Sequence, residues 1–482
     1  MIENIIIIAV IIAAIALIAV IASRSIRIMN ASTIIHSFAT MVLAGYALST
    51  VKLPLFFLKN RYFFLDALGI YEIFITGCIF FLAAIYAKGY MHSLIKAGEL
   101  DPKNAKLFYV VFNLLLLSVV LAFSANNLAL LWIFVELTTV LSAILIVVLN
   151  AKENITAAIK YVFITSTAMI FSFMGLILLF FSSRQGLEEA TLNWDMLLQG
   201  AQQLPPQLLL FSFVLIFVGF AAKSGVAPFH TWLPAAYSKA PSDVSVLLSG
   251  SVSMIGVYAI LRIYSLTAHT VVHPFASKFL LAFGVLSIGI AALSMLVRTN
   301  VKKIIAFSSI EHVGIMLLGM GIGNIVWMVY HLLAHALAKA LLFFSAGIIH
   351  RQYQSNKIEA IYNLFELQPF ASWGLIIGSA AVIGMPLLPL FISKFFILAD
   401  LANVSLLLLL AVLVLLLIAS GSFAWFMIQM MQIKENVLPK YRAPASMKMA
   451  LFILIALLLA LGLYVPDKLY AILEKIVVQL GL

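Results

Sequence analysis

The sequence predicts an all-α integral membrane protein, a bundle of about fourteen transmembrane helices in which two sets of five form an inverted repeat. Three observations predict it. The 482 residues are 64% hydrophobic and only 10% charged, with a mean hydropathy of +1.16, so there are too few polar side chains to cover a water-soluble globule of this size. Apolar runs of 17 to 25 residues recur from end to end, and each matches the ~20 residues that cross ~30 Å of hydrocarbon as a helix. The ~10-residue alternating segments of a membrane β-barrel are absent. The third observation is that glycine and proline interrupt two of these runs beside a lysine, at related places in the two halves.

Taken in order, the apolar windows give spans at 2–22, 31–50, 66–88, 106–123, 126–149, 156–182, 207–238, 243–266, 275–297, 301–320, 324–349, 370–399, 404–432 and 446–464. No basic residue precedes the first span, and it continues past 23–30 into the second, which favours a retained helix over a cleaved signal peptide. The longest polar interruptions, 89–105, 183–206 and 350–369, suit loops or short interfacial helices, so no soluble domain is expected. The chain divides into 1–105 (spans 1–3), 106–266 (spans 4–8), 267–432 (spans 9–13) and 433–482 (span 14 and tail).

The formal charge of +11 raises nucleic acid as a partner, but the basic residues sit in short loops between spans rather than in one basic domain. Eighteen of the 29 follow odd-numbered spans, from Arg24 and Arg27 to Arg442 and Lys448, against eight on the other side, from Lys52 and Lys59 to Lys475. The positive-inside rule then predicts a multi-pass protein of the cell membrane with both termini outside. The single cysteine, Cys78, excludes disulfide frameworks, thiolate zinc sites and cysteine-ligated iron–sulfur clusters from this chain, and no cofactor or metal ligand set is assigned to it.

Charges inside the spans carry the functional reading. Glu136 lies in LWIFVELTTVLS, Lys223 in FAAKSGVAPFHTWLP, Glu311 in FSSIEHVGIM, Lys339 in YHLLAHALAKALLF and Lys394 in IGMPLLPLFISKFF. A charge at a helix centre costs at least ~2.5–3.5 kcal/mol on insertion scales, so it is paired or faces a hydrated interior. A structural ion pair or a snorkelling head group accounts for any one alone; five together point to a polar path and to transport. His331, His335 and Lys339 recur every four residues, stacking three titratable groups on one helical face over ~12 Å. Imidazole can accept a proton on one nitrogen while releasing one from the other, which suits a relay.

Gly225 and Pro228 follow Lys223, while Gly384, Pro386 and Pro389 precede Lys394. Proline leaves a carbonyl unpaired, and such a break survives in a bilayer only where protein or water satisfies it. The two lysines are 171 positions apart, or five spans, and the same offset from Glu136 lands at 307, within about a turn of Glu311. An odd number of spans per repeat forces opposite orientation, hence inverted repeats in spans 4–8 and 9–13, with spans 7 and 12 broken.

The segment KSGVAPFHTWLPAAYSKAPSDVSVLLSG at 223–250 resembles the broken helix 7 and following loop of the antiporter-like subunits shared by respiratory complex I, membrane-bound energy-converting nickel–iron hydrogenases and Mrp-type cation/proton antiporters. The resemblance covers nearly the whole chain and is strongest over 120–400. SSIEHVGIM with HALAKALLFFSAG is more similar to the hydrogenase-linked branch of the formate-hydrogenlyase type. The resemblance implies fourteen helices with repeats at 4–8 and 9–13, and an ion-translocation set of Glu136, Lys223, His331, His335, Lys339 and Lys394, to which Glu311 and His230 are added. Met254 stands where many relatives carry a helix 8 lysine, so Ser251, Ser253 or water would have to bridge there. With the sequence stopping soon after span 14, the long lateral helix of the distal complex I subunit is not expected here.

The function expected is a proton- or sodium-translocating subunit of a redox-driven complex, with Glu136 and Lys223 as a switchable pair, the histidines as relay and Lys394 at the outlet. Expected partners are other membrane subunits, a peripheral redox arm, lipid and the transported ion. Iron–sulfur clusters, and a nickel–iron centre in the hydrogenase branch, would lie in those partner subunits. An Mrp-type exchanger without electron transfer and a non-conducting scaffold are the alternatives, the second favoured by Met254.

Overall fold

In the computed structural model, residues 5–50, 53–57, 61–435 and 438–482 are described. The start of the first expected span and the loop cations Lys52 and Lys59 lie outside the described residues. The chain is predominantly helical, as the apolar windows require. Its helices are α1 (Ile5–Ala22), α2 (Ile26–Thr50), α3 (Ala67–Lys96), α4 (Pro102–Phe123), α5 (Leu128–Ile146), α6 (Lys152–Gly186), α7 (Trp194–Gln199), α8 (Pro206–Ser224), α9 (Leu233–Lys239), α10 (Ser242–Leu247) and α11 (Met254–Ser265). They continue as α12 (His273–Leu296), α13 (Val301–Gly321), α14 (Ile325–Tyr353), α15 (Leu364–Leu367), α16 (Pro369–Ile383), α17 (Pro389–Val404), α18 (Leu406–Met430), α19 (Ala445–Leu463) and α20 (Asp467–Leu480).

Among the described residues, twelve helical stretches are long and apolar enough to cross a membrane, the broken α8–α9 and α10–α11 pairs each counting as one. The expected spans 2–22 and 370–399 correspond to shorter apolar helices, Ile7–Ala22 within α1 and Pro369–Ile383, which α17 continues after a break. Two features escape the apolar windows: a small antiparallel pair of strands, β1 (Leu55–Phe57) and β2 (Phe63–Leu65), and α20, which seats Leu473, Ile476 and Leu480 against the bundle. α20 is held there by Gln479, which accepts a hydrogen bond from the Ala67 amide at 2.8 Å.

The centre of the bundle is α10–α11, α13 and α14, whose apolar windows are buried almost throughout, with α3 packed against α10 and α14. By contrast α18 and α19 bury little and turn Leu407, Leu417 and Phe452 outward, as lipid-facing helices do. The helices that bear Glu311, His331, His335 and Lys339 therefore occupy the interior.

Local signals recur in the two halves. Asn127 caps α5 and bridges to Asn193; Asn300 caps α13 and bridges to Lys357. Asparagine is a strong cap because its carbonyl oxygen accepts from the orphan amides of the first turn. α8 ends at Gly225 (φ +79°) and α16 at Gly384 (φ +90°), left-handed positions that glycine adopts without steric cost. Freed carbonyls at both breaks find donors: the Trp232 indole reaches Ala222 O at 2.8 Å, and Lys394 Nζ reaches Val382 O at 2.7 Å. The two lysines are not at matching places, since Lys223 precedes its break and Lys394 follows its own, and the capping glycines are 159 rather than 171 positions apart.

Three cations assigned to loops are buried instead: Arg262, Lys302 and Arg351. Arg262 and Lys302 lie near the ends of their apolar windows and Arg351 just past its own, where neighbouring elements cover the helix ends. Arg262 donates to Asp66 Oδ1 at 2.7 Å and Tyr258 Oη at 2.9 Å, and its guanidinium stacks on Trp194 at 4.3 Å. The Trp194 indole in turn donates to Arg262 O at 2.9 Å, which ties α3, α7 and α11 together at one end of the bundle.

Breaking a buried ion pair by removing one partner leaves an uncompensated charge and costs about 3–5 kcal/mol. Asp66→Ala should therefore lower the thermal midpoint of the detergent-solubilised chain sharply, and the double change Asp66→Asn/Arg262→Gln should lower it less.

Candidate functional site

The first group of buried polar side chains lies between α5, α6 and α8. Lys223, in the last turn of α8, has no solvent exposure. Its Nζ donates to Thr139 Oγ1 at 2.8 Å, Tyr161 Oη at 3.1 Å and Val135 O at 3.4 Å, and Tyr161 Oη lies 2.9 Å from Ser142 Oγ. Glu136 takes a hydrogen bond from Ser166 Oγ on α6, and its other oxygen is buried without a hydrogen-bond partner. The expected Glu136–Lys223 ion pair is not formed among the described residues. The reason is helical geometry: Val135 and Thr139 share the face turned to α8, and Glu136 is rotated ~100° from Val135, toward α6.

The second group lies between α13, α14 and α17. Lys339 Nζ donates to Ile305 O at 3.0 Å and to Ser308 Oγ on α13. The His335 ring is 5.4 Å, centre to centre, from His312 on α13, and neither of its nitrogens has a hydrogen-bond partner. His312 Nδ1 lies 2.9 Å from His331 Nε2, and His331 Nδ1 lies 2.8 Å from Ser393 Oγ on α17. The next residue, Lys394, donates to Glu311 Oε1 at 3.0 Å in an ion pair whose side chains are only 7% and 4% exposed. A nitrogen-to-nitrogen contact needs a proton on one ring and a lone pair on the other, so exchanging tautomers reverses the donor direction along His312, His331 and Ser393. This arrangement can hand on a proton without moving the backbone.

Between the groups stands the helix 8 region, α10 and α11 joined by a π-helical stretch at Leu248–Val252. Ser249 Oγ in that stretch lies 3.5 Å from Ser309 Oγ on α13. Ser251 instead pairs with Thr76 of α3 at 2.9 Å, and Ser253 donates to Ser249 O, so neither bridges as expected. Met254 is buried. His230, in the turn between α8 and α9, is half-buried beside the Phe307 ring at 6.3 Å and contacts neither group.

Sequence reasoning missed His312, Glu72, Asp243 and the burial of Lys302. Glu72 is buried in α3 with Oε1 unpartnered, and Asp243 is buried at the start of α10 with Oδ2 unpartnered. Lys302 Nζ donates to Ala240 O at 2.9 Å beside it. The signal that found Glu136, a carboxylate inside an apolar window, was present at Glu72 as well. His312 sits next to Glu311, and only the packing of α13 on α14 discloses that it joins the two α14 histidines.

Residues 125–419 match the family described as NADH:quinone oxidoreductase/Mrp antiporter, TM. The chain is 29% identical over 415 residues to the hydrogenase-4 component F homolog of Methylacidiphilum infernorum (isolate V4), covering 85% of this chain and 87% of that one. It is also 29% identical to a Na(+)/H(+) antiporter subunit of Alkalihalophilus pseudofirmus, over 60% of this chain and 58% of that one. A chain of the membrane-bound sulfane sulfur reductase, an archaeal respiratory membrane complex, superposes with a TM-score of 0.87 at 24% identity, covering 100% and 97% of the two chains. A chain of the Mrp complex from Dietzia sp. DQ12-45-1b gives 0.83 at 18%, covering 100% and 96%. With the family's pattern covering well over half of the residues, and its fold covering all of them, the chain belongs to the antiporter-like membrane subunits of the NADH:quinone oxidoreductase, membrane-bound hydrogenase and Mrp family.

Proposed function

We propose that this subunit moves protons through its own interior, within a multi-subunit redox-driven membrane complex. The observation that carries the reading is the unbroken run from His312 through His331 to Ser393, flanked by Lys339 on one side and the Glu311–Lys394 pair on the other. A structural role alone needs each buried polar group to be satisfied. Histidines aligned ring to ring with one, His335, left unpartnered are better suited to proton exchange.

Glu136 and Lys223 act as the variable pair of the first half. A carboxylate beside an ammonium favours the charged amine, and holding the two apart in a dehydrated site favours release of the proton. With Lys223 on hydroxyls and Glu136 on Ser166, the arrangement corresponds to the open state of that pair. Protons then pass by way of Ser249 and Ser309, with water, to Lys339, along the histidines, and leave at Lys394. Inverted repeats at spans 4–8 and 9–13 among fourteen spans are supported by the recurring asparagine caps, bridges and glycine breaks. Both termini are assigned to the outer face of the cell membrane on the loop charges. Electron transfer belongs to partner subunits of a peripheral arm, which would hold the iron–sulfur and, in the hydrogenase branch, nickel–iron centres.

A second reading, sodium exchange against protons without a redox arm, is favoured by the likeness to the Na(+)/H(+) antiporter relative. Purification of the tagged chain with its partners separates the two: redox subunits support the first, small hydrophobic partners alone the second.

Lys223→Ala should leave the complex assembled and abolish proton uptake into sealed vesicles read with a pH-sensitive dye; normal uptake in an assembled variant would sink the mechanism. His312→Phe keeps a flat aromatic ring, slightly larger, and removes both nitrogens. It should slow uptake by about 10²-fold or more, the range in which removing a positioned proton-transfer group falls, while Ser251→Ala, which lies off the path, should leave the rate unchanged.

A further inference from the structure

We propose that the cavity between the ends of α2, α3, α4 and α19 binds an anionic phospholipid. The cavity has a volume of about 850 Å³, inside the ~300–1,000 Å³ range of small-molecule sites. Arg27, Lys88 and His92 stand at its exposed rim, and none of the described residues lining it is acidic. α2 and α4 start here, α3 ends here and α19 starts here, so the cavity opens at one membrane face, the one whose loops carry most of the basic residues. Basic pockets between transmembrane helices at that level suit the phosphate of an anionic headgroup.

The interior supplies what a diacyl lipid needs below its phosphate. Ser446 lines the cavity and its buried Oγ has no hydrogen-bond partner, so a turn of this side chain brings a free hydroxyl to a phosphate or ester oxygen. Ile26 and Ile34 line it from α2. Eight residues of helix separate them, ~12 Å at ~1.5 Å per residue, with Ala31 and with Asn30, whose amide donates to Ala84 O at 2.9 Å, between them, so a mostly apolar wall reaches from headgroup depth into the acyl region. On either side of this strip α2 exposes Ile28, Ile35 and Phe38, so a lipid enters sideways from the bilayer rather than through water. A free phosphate would use the cations and the hydroxyl but not this wall.

The test is native mass spectrometry of the full chain released from vesicles of phosphatidylglycerol and phosphatidylcholine in equal amounts. The expected result is one retained phosphatidylglycerol per chain, with roughly 30-fold weaker retention in Arg27→Ala/Lys88→Ala. Lys239→Ala/Lys303→Ala, at a separate basic cavity, should retain it as the unmodified chain does. Equal retention of phosphatidylcholine, or of phosphatidylglycerol by the Arg27/Lys88 variant, would overturn the proposal. Displacement of the bound lipid by inorganic phosphate alone would also overturn it, assigning the site to free anions instead.

Discussion

Every ammonium buried among the described residues of this bundle is held by a backbone carbonyl. Lys223 takes Val135 O, Lys302 takes Ala240 O, Lys339 takes Ile305 O and Lys394 takes Val382 O. A peptide carbonyl has two lone pairs, and a helix uses only one of them. Helices that cannot reach water can therefore still offer acceptors to a neighbour's cation, and the rest of the interior is arranged around that offer. The hydroxyls of Thr139, Tyr161 and Ser308 complete the shells of Lys223 and Lys339, while Lys394 alone among the three mid-span lysines meets a carboxylate. A carbonyl does not fix the amine's charge as firmly as a carboxylate does, so this choice of partner keeps the protonation state movable at little structural cost.

Similar local signals are put to different use around the two glycine breaks. Each half has an asparagine-capped helix carrying a glutamate, then a long helix, a bridged loop and a helix broken at glycine. Lys223 lies before its break and stretches across to α5 and α6, leaving the Trp232 indole to satisfy the freed carbonyl. Lys394 lies after its break and satisfies the carbonyl itself while pairing with Glu311. The second lysine is thus part of the structural closure of its helix as well as an ionic partner, which makes its half the more tightly specified of the two.

Much of the architecture was legible because membrane spans announce themselves by length and composition, and mid-span charges stand out against them. The α14 histidines and Lys339 were found by periodicity along one helix. His312 was not, because its role depends on which face of α13 meets α14, and single-helix periodicity carries no information about the neighbour. Glu136 and Lys223 were paired on their residue types, yet one position along α5 decides whether a side chain meets α6 or α8. Arg262 and Lys302 were counted with the loop cations because each lies within a few residues of the end of its apolar window, while burial there comes from α3, α7 and the turn before α10 closing over the helix ends. The strand pair and α20 fall in short or amphipathic stretches that no apolar window detects.

The π-helical stretch at Leu248–Val252 has a consequence for how this chain tolerates change in length. A π turn holds one more residue than an α turn over the same rise. At its first residue Tyr237 donates to Leu248 O; beyond it the helix aims Arg262 at Asp66. Deleting one residue inside the stretch would close it to a regular α turn over the same rise and leave Arg262 aimed at its carboxylate and at Trp194, whereas a deletion in the regular helix after it would rotate everything beyond by ~100°. The wide turn thus absorbs one residue without disturbing the faces on either side, and these five positions can give up a residue that the regular helix after them cannot.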